Sequence, residues 1–138
     1  MKKINITEVE QISCSLEREL ATLGESIPSF LSRYPGKLES CLAVPFQAFG
    51  GEELYKGLLK KGAALFYMML KDHPFEDGNK RIALASLLVF IYRNKKWLKV
   101  DNQELYNFVI WVTESNPKLK DETLEAIEEF LKSYLVDL

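Results

Sequence analysis

The chain has 138 residues and a mass of 15.9 kDa, 47% of them hydrophobic and 12% aromatic, which suits one compact domain over 1–138 with its own core. Its 18 basic and 20 acidic residues leave a formal charge of −2, which excludes a general electrostatic drive toward nucleic acid or an anionic membrane, so any positive field has to be local. The apolar stretches 63–70 and 82–92 fall short of the ~20 residues that cross a bilayer, and Met-Lys-Lys-Ile-Asn is not followed by a secretory apolar segment; the expectation is a cytoplasmic protein with no membrane span.

Thr7 and Glu10 have the spacing of a capping box, and Val9, Ile12, Leu16, Leu20 and Leu23 recur at helical intervals up to Gly24, which predicts an amphipathic helix over 8–23. Residues 26–36 contain Pro28 and Pro35 and read as loop, with Phe30, Leu31 and Tyr34 turned inward, before a short helix over 37–43. From Val44 the chain reads Val-Pro-Phe-Gln-Ala-Phe-Gly-Gly-Glu-Glu. Pro45 opposes a continued helix and Gly50-Gly51 suits a turn, so this segment is either a short flap or hairpin, or a surface loop whose Phe46 and Phe49 plug the core. Cys14 and Cys41 lack both C-x-x-C spacing and a histidine cluster, which reads as two buried free thiols rather than a disulfide or zinc site.

A strong helix over 54–71, with Leu54, Leu58, Leu65, Phe66 and Met69 among its apolar positions, delivers the chain to His73. The next helix begins near Gly78 or Asn79 and ends near Asn94. With Leu84, Leu87, Leu88, Val89, Phe90 and Ile91 it is apolar on nearly every side, and so belongs in the middle of the domain. The lysines of 94–100 read as the solvated rim of a turn into a brief extended segment. Asp101 and Glu104 cap a helix over 103–114 that stops at Asn116-Pro117, and a last helix over 122–136 carries Leu124, Ile127, Phe130 and Leu131 on one face. The fold class expected is mainly α, with a central buried helix and a short β-hairpin flap.

Chemistry concentrates in residues 73–81, His-Pro-Phe-Glu-Asp-Gly-Asn-Lys-Arg. A helix N-terminus has unpartnered N–H groups and the positive end of the helix dipole, which makes it an anion site and disfavours the cations Lys80 and Arg81 unless an anion is bound. His73, the only histidine, is the side chain type that exchanges protons near neutral pH. Asp77 is a hard oxygen ligand of the kind Mg²⁺ uses, Gly78 allows close backbone approach, and Asn79, Lys80 and Arg81 offer donors to phosphate. Base, metal ligand and anion cradle together are the parts list for transfer from a nucleotide to a hydroxyl. Each also has a structural alternative. Asp77 alone reads as an N-cap, His73 as a hydrogen-bonded core histidine, Pro74 and Gly78 as turn formers, and Lys80 and Arg81 as snorkelling side chains. All of these would have to coincide in one nonapeptide.

The nonapeptide resembles the Fic signature H-x-F-x-D/E-G-N-x-R, and in particular its Doc (death-on-curing) branch, where lysine stands in place of the second glycine. The preceding segment, from Leu38-Glu39-Ser40 through Phe49-Gly50-Gly51-Glu52 and the helix behind it, is similar to the flap and helix of Doc-like proteins, so the resemblance covers residues 37–114. It implies a Fic-like helical domain whose hairpin flap, here Val44, Pro45, Phe46, Gln47, Ala48 and Phe49, holds a target segment by strand pairing. It further implies His73 as the base for the target hydroxyl, Asp77 as a Mg²⁺ ligand, Gly78 and Asn79 at an anion hole, and Lys80 and Arg81 on the phosphates of ATP. AMP-transferring Fic enzymes carry glycine at the position of Lys80 and a second arginine at that of Leu84. Both departures argue for the Doc reaction, γ-phosphate transfer to a Ser/Thr hydroxyl of a translation factor, elongation factor Tu by resemblance. AMP transfer and a non-catalytic partner-binding module are the alternatives. A Phd-like antitoxin is the implied partner, with no direct nucleic-acid contact. Ser13 and Glu17 have the spacing of the cis-inhibitory Fic motif, but Arg18 follows, and they read as ordinary helix residues.

Overall fold

The computed structural model describes residues 1–21 and 30–138. Among these are six α-helices, α1 (Ile6–Ala21), α2 (Pro35–Ala43), α3 (Gly57–Lys71), α4 (Asn79–Arg93), α5 (Asn102–Glu114) and α6 (Lys120–Tyr134), and two small antiparallel ribbons. The first ribbon joins β1 (Ala48–Phe49) to β2 (Glu52–Glu53), and the second joins β3 (Lys96–Leu98) to β4 (Leu135–Asp137). The mainly α class with a hairpin flap is the architecture observed. The helix end expected at Leu23 and Gly24, the side chain of Leu20, and Ser26 to Pro28 lie outside the described residues.

The local signals succeed where the cap is right and fail where a better one lies nearby. The first helix starts at Ile6, because Asn5 and not Thr7 is its cap. The Asn5 Oδ1 accepts from the Glu8 N–H at 2.9 Å while the Glu8 carboxylate accepts from the Asn5 N–H at 3.1 Å, a reciprocal box two residues upstream of the expected one. Glu8 also pairs with Arg93 in the last turn of α4, which ties the start of one helix to the end of another. At α5 the expected cap is correct, with Asp101 accepting from the N–H groups of Gln103 and Glu104 at 3.1 and 3.2 Å.

Several boundaries and the orientations of Leu31, Tyr34 and Cys14 differ from expectation. The second helix starts at Pro35, whose fixed φ suits a first helical turn. It runs into a 3₁₀ turn, Val44–Phe46, that passes through Pro45. The third helix starts at Gly57 rather than Leu54, because the Leu54 N–H is already committed to the Gln47 carbonyl at 2.9 Å, closing the root of the hairpin. The last helix stops at Tyr134, where the chain turns extended to pair Leu135 with Leu98. Of the residues expected to turn inward, Phe30 is buried but Leu31 is 85% exposed and Tyr34 lies half outside. Of the two thiols, Cys41 is buried and Cys14 is exposed.

The core lies between α3, α4 and α6. The third helix is the more enclosed of the central pair: residues from Lys61 to Tyr67 are all buried, with Met69 and Leu70. At Gly62 the partner helices come so near that a Cβ would stand 3.3 Å from the Leu131 Cδ1 and 3.5 Å from the Leu87 Cδ1. The fourth helix buries Ile82, Leu87, Phe90 and Ile91 but leaves Leu84, Leu88 and Val89 only partly covered. Among the described residues no helix is long and apolar enough to cross a membrane. Burial pushes the Cys41 thiol up to about 12, with the Asp72 carboxylate adding to the shift. Titration of the native protein with a thiol reagent near pH 8 is therefore expected to release one equivalent promptly, from Cys14, and the second only on unfolding; a Cys14→Ser variant should show no prompt equivalent.

Candidate active site

Residues 72–78 form the link between α3 and α4, and main-chain geometry makes it rigid. The Tyr34 N–H donates to the Pro74 carbonyl at 2.8 Å, and Arg33 bridges to Phe75 in antiparallel fashion, so the segment before α2 braces the link from outside. Phe75 is buried, with its ring 6.2 Å from that of Phe30. The Arg33 guanidinium lies over the Phe30 ring, 4.1 Å from its centre. Phe75 thus anchors the nonapeptide to the core, and His73, Glu76 and Asp77 around it are turned to solvent.

Asn79 closes the link. Its carboxamide donates to the Phe75 carbonyl and accepts from the Phe75 N–H, both at 2.9 Å, in a site where the residue is 9% exposed. The expected side-chain donor to phosphate is thereby committed to the loop, and what Asn79 presents at the helix start is its main-chain N–H. Gly78 stands at the N-cap with φ 73 and ψ 11, a left-handed conformation that glycine adopts without strain, and no side chain caps the helix. The first hydrogen bond of α4 runs from the Ile82 N–H to the Gly78 carbonyl, so the N–H groups of residues 79–81 lie ahead of the helical ladder.

Asp77 is not the N-cap, contrary to what it would be if its role were only structural; it is exposed beside Gly78. Among the described residues no group of three or more His, Cys, Asp or Glu side chains is arranged to hold a metal ion. Asp77, with Glu76 exposed beside it, could serve an ion that brings its other ligands with it, since Mg²⁺ uses only one or two protein carboxylates. His73 is also exposed, and it holds φ 48, one of two non-glycine residues with positive φ among the described residues. A left-handed non-glycine backbone persists where the surroundings impose it, and such strain clusters at functional sites.

Lys80 and Arg81 are exposed at the first turn of α4. Together with Leu84 and with Asn102, Leu105, Tyr106 and Val109 of α5 they line a cleft of about 410 Å³ with an apolar floor. A cationic rim over an apolar floor can take both the phosphates and the flat ring of a nucleotide. Leu84, singled out in the sequence as the place of a missing arginine, lines this cleft.

The flap residues divide into root and tip. Val44, Pro45 and Phe46 belong to the 3₁₀ turn, with Pro45 buried and Phe46 set edge-on to Phe90 at 5.8 Å. Gln47, Ala48 and Phe49 are exposed, Phe49 at 69%, and Gly50 and Gly51 turn the chain with φ 59 and 83. Of the two readings of this segment, Phe46 follows the core plug and Phe49 the hairpin. Sequence reasoning missed Lys61, which lies on the buried face of α3 and reaches the flap root: its ammonium stands 3.0 Å from the Glu53 Oε2 and donates to the Tyr55 carbonyl. The available signal was a lysine inside the apolar run Leu58 to Leu70.

The model described as the Fic/DOC family matches residues 5–91, more than half of the chain. Toxin Doc of Mycolicibacterium smegmatis is 35% identical over 66 residues, 48% of this chain and 51% of that protein, so the chain spans about half the length of the curated relative it matches. The matched region reaches from α1 to the end of the buried part of α4 and includes the whole nonapeptide, from which it follows that the chain belongs to the Fic/Doc family.

Proposed function

We propose that the protein is a Doc-type toxin of a toxin–antitoxin pair, a protein kinase that moves the γ-phosphate of ATP to a Ser/Thr hydroxyl of a translation factor, elongation factor Tu by family resemblance. The observation that carries this reading is the occupancy of the first turn of α4: Lys80 and Arg81 stand at the rim of the cleft, and Leu84 lines it one turn further on. In this reading His73 takes the hydroxyl proton as the oxygen attacks the γ-phosphorus, and the bond from that phosphorus to the bridging oxygen of ADP breaks. Lys80, Arg81 and the main-chain N–H groups of 79–81 hold the phosphate charge. Asp77 would hold a Mg²⁺ accompanying ATP, which would supply positive charge beside the phosphates. The exposed strand β1 of the flap receives the target segment by main-chain pairing. Control comes from a separate Phd-like antitoxin chain. Ser13 is fully buried within α1, and Glu17, one turn further on, is exposed.

Purified protein incubated with cell extract and ATP is expected to label an acceptor protein from the γ-phosphate and not from the α-phosphate. Label from the α-phosphate alone would turn the reading to AMP transfer, and label from neither would turn it to a binding module. Replacing His73 by Ala is expected to lower transfer by about 10²–10⁴-fold. His73→Gly should lose transfer equally but unfold at higher urea, by ~1 kcal/mol, because glycine relieves the left-handed backbone at φ 48. Growth arrest on expression, and transfer in the same assay, should both fall with Lys80→Ala and with Arg81→Ala, transfer by about 10²-fold; unchanged values would remove those cations from the mechanism.

A further inference from the structure

The buried face of α3 is interrupted by a single charge. Lys61, the fifth residue of α3, is 3% exposed. A buried ammonium is tolerated only where it is paired and hydrogen-bonded, and the partners here all belong to the flap. The Glu53 carboxylate at 3.0 Å is on β2. The Tyr55 carbonyl lies between β2 and α3. The Phe46 ring, with its centre 6.0 Å from the ammonium, lies on the other side of the hairpin, in the turn that leads to β1. One side chain of the rigid core therefore grips both roots of the hairpin. Glu53 is 56% exposed, so its charge is partly screened, whereas the carbonyl and the ring hold the ammonium from inside.

Stability alone does not account for this choice, since an apolar residue of similar length would fill the same space without the desolvation cost. A two-stranded ribbon of four paired residues is too short to hold itself in one position in water. We propose that Lys61 is a positioning residue that clasps the flap to α3 in the orientation that receives the acceptor protein. The acceptor part of this inference rests on the kinase reading above; the clasp does not. Loss of the clasp would loosen the hairpin from its β2 root, since Glu53 and the Tyr55 carbonyl lose their common partner while Phe46 keeps its contact with Phe90. Target affinity would then carry the cost of ordering the flap, and the chemical step, once the target is seated, would not.

The test compares wild type with Lys61→Met, which keeps side-chain length without the charge, and with Glu53→Gln, a surface change that cannot empty the core. Amide exchange is followed at Leu54, whose N–H closes the hairpin root at 2.9 Å from the Gln47 oxygen, and at Phe90 as a core reference. In Lys61→Met the Leu54 amide is expected to exchange at least about ten-fold faster while Phe90 is unchanged, with a smaller change of the same sign in Glu53→Gln. With elongation factor Tu as acceptor, KM should rise roughly ten-fold with kcat within about two-fold of wild type, and ATP affinity should not move. Equal acceleration at Leu54 and Phe90 would reveal a general loss of stability and overturn the clasp, as would unchanged exchange at Leu54. A fall in kcat at constant KM would overturn the positioning role. Wild-type protein that transfers nothing would overturn the kinase reading, while exchange at Leu54 would still decide the clasp.

Discussion

The two hydrogen bonds between the Asn79 carboxamide and the main chain of Phe75, each 2.9 Å long, close residues 75–79 into a ring at the head of α4. Each is worth about 0.5–1.5 kcal/mol net, but the larger effect is negative: breaking either would leave a buried polar group unpaired, at ~1–3 kcal/mol. The ring forces the Phe75 side chain inward against Phe30 and leaves Glu76 and Asp77 outside. Gly78 then turns the chain through a left-handed residue, and the helix starts without a side-chain cap. An open cluster of N–H groups flanked by two exposed cations is the direct result of a carboxamide that faces the other way.

Two further constraints act on this head. From outside, the Tyr34 N–H and the Arg33 bridge fix the main chain at Pro74 and Phe75, so the link is held at both sides. From below, α3 and α4 pack so closely at Gly62 that neither helix can shift without disturbing α6 as well. The flap is anchored to the same two helices, through Lys61 on α3 and through the contact of Phe46 with Phe90 on α4. Root and motif loop thus share one rigid base, while Phe49 and the two glycines beyond it remain free to meet another chain.

Periodicity and turn chemistry carried the helices well where the signal was internal to one segment. The apolar stripes of α3 to α6 and the Asp101 cap are of that kind, and so is the Gly50-Gly51 turn, whose positive φ values suit glycine. Misplacements arose where two local answers competed. Thr7 and Asn5 both offer a cap, and the reciprocal bonds of Asn5 with Glu8, together with the pairing of Glu8 with Arg93, favour the earlier one. Leu54 continues an apolar stripe, but its N–H serves the hairpin instead. Leu135 likewise continues the stripe of α6, yet its main chain pairs with Leu98. The burial of α4 was overestimated for a related reason: an apolar sequence states what a helix tolerates, and its neighbours decide which sides they cover.

The sequence by itself determined the helical class and the identity of the nonapeptide, because each depends on residue types within a few positions of one another, whereas residues 44–53 read locally as either hairpin or loop and only the family resemblance favoured the flap. It also singled out Lys80, Arg81 and Leu84 as an unusual set. Tertiary structure decided the orientation of that set. Asn79 turns inward because a buried carbonyl and N–H await it at Phe75, and Asp77 remains outside because Gly78 takes the cap. The cleft exists because α5 brings Leu105, Tyr106 and Val109 to face α4. Lys61 could not have been matched to Glu53, Tyr55 and Phe46 from spacing alone, since its partners enter from both roots of a hairpin whose own fold depends on the helix beneath it.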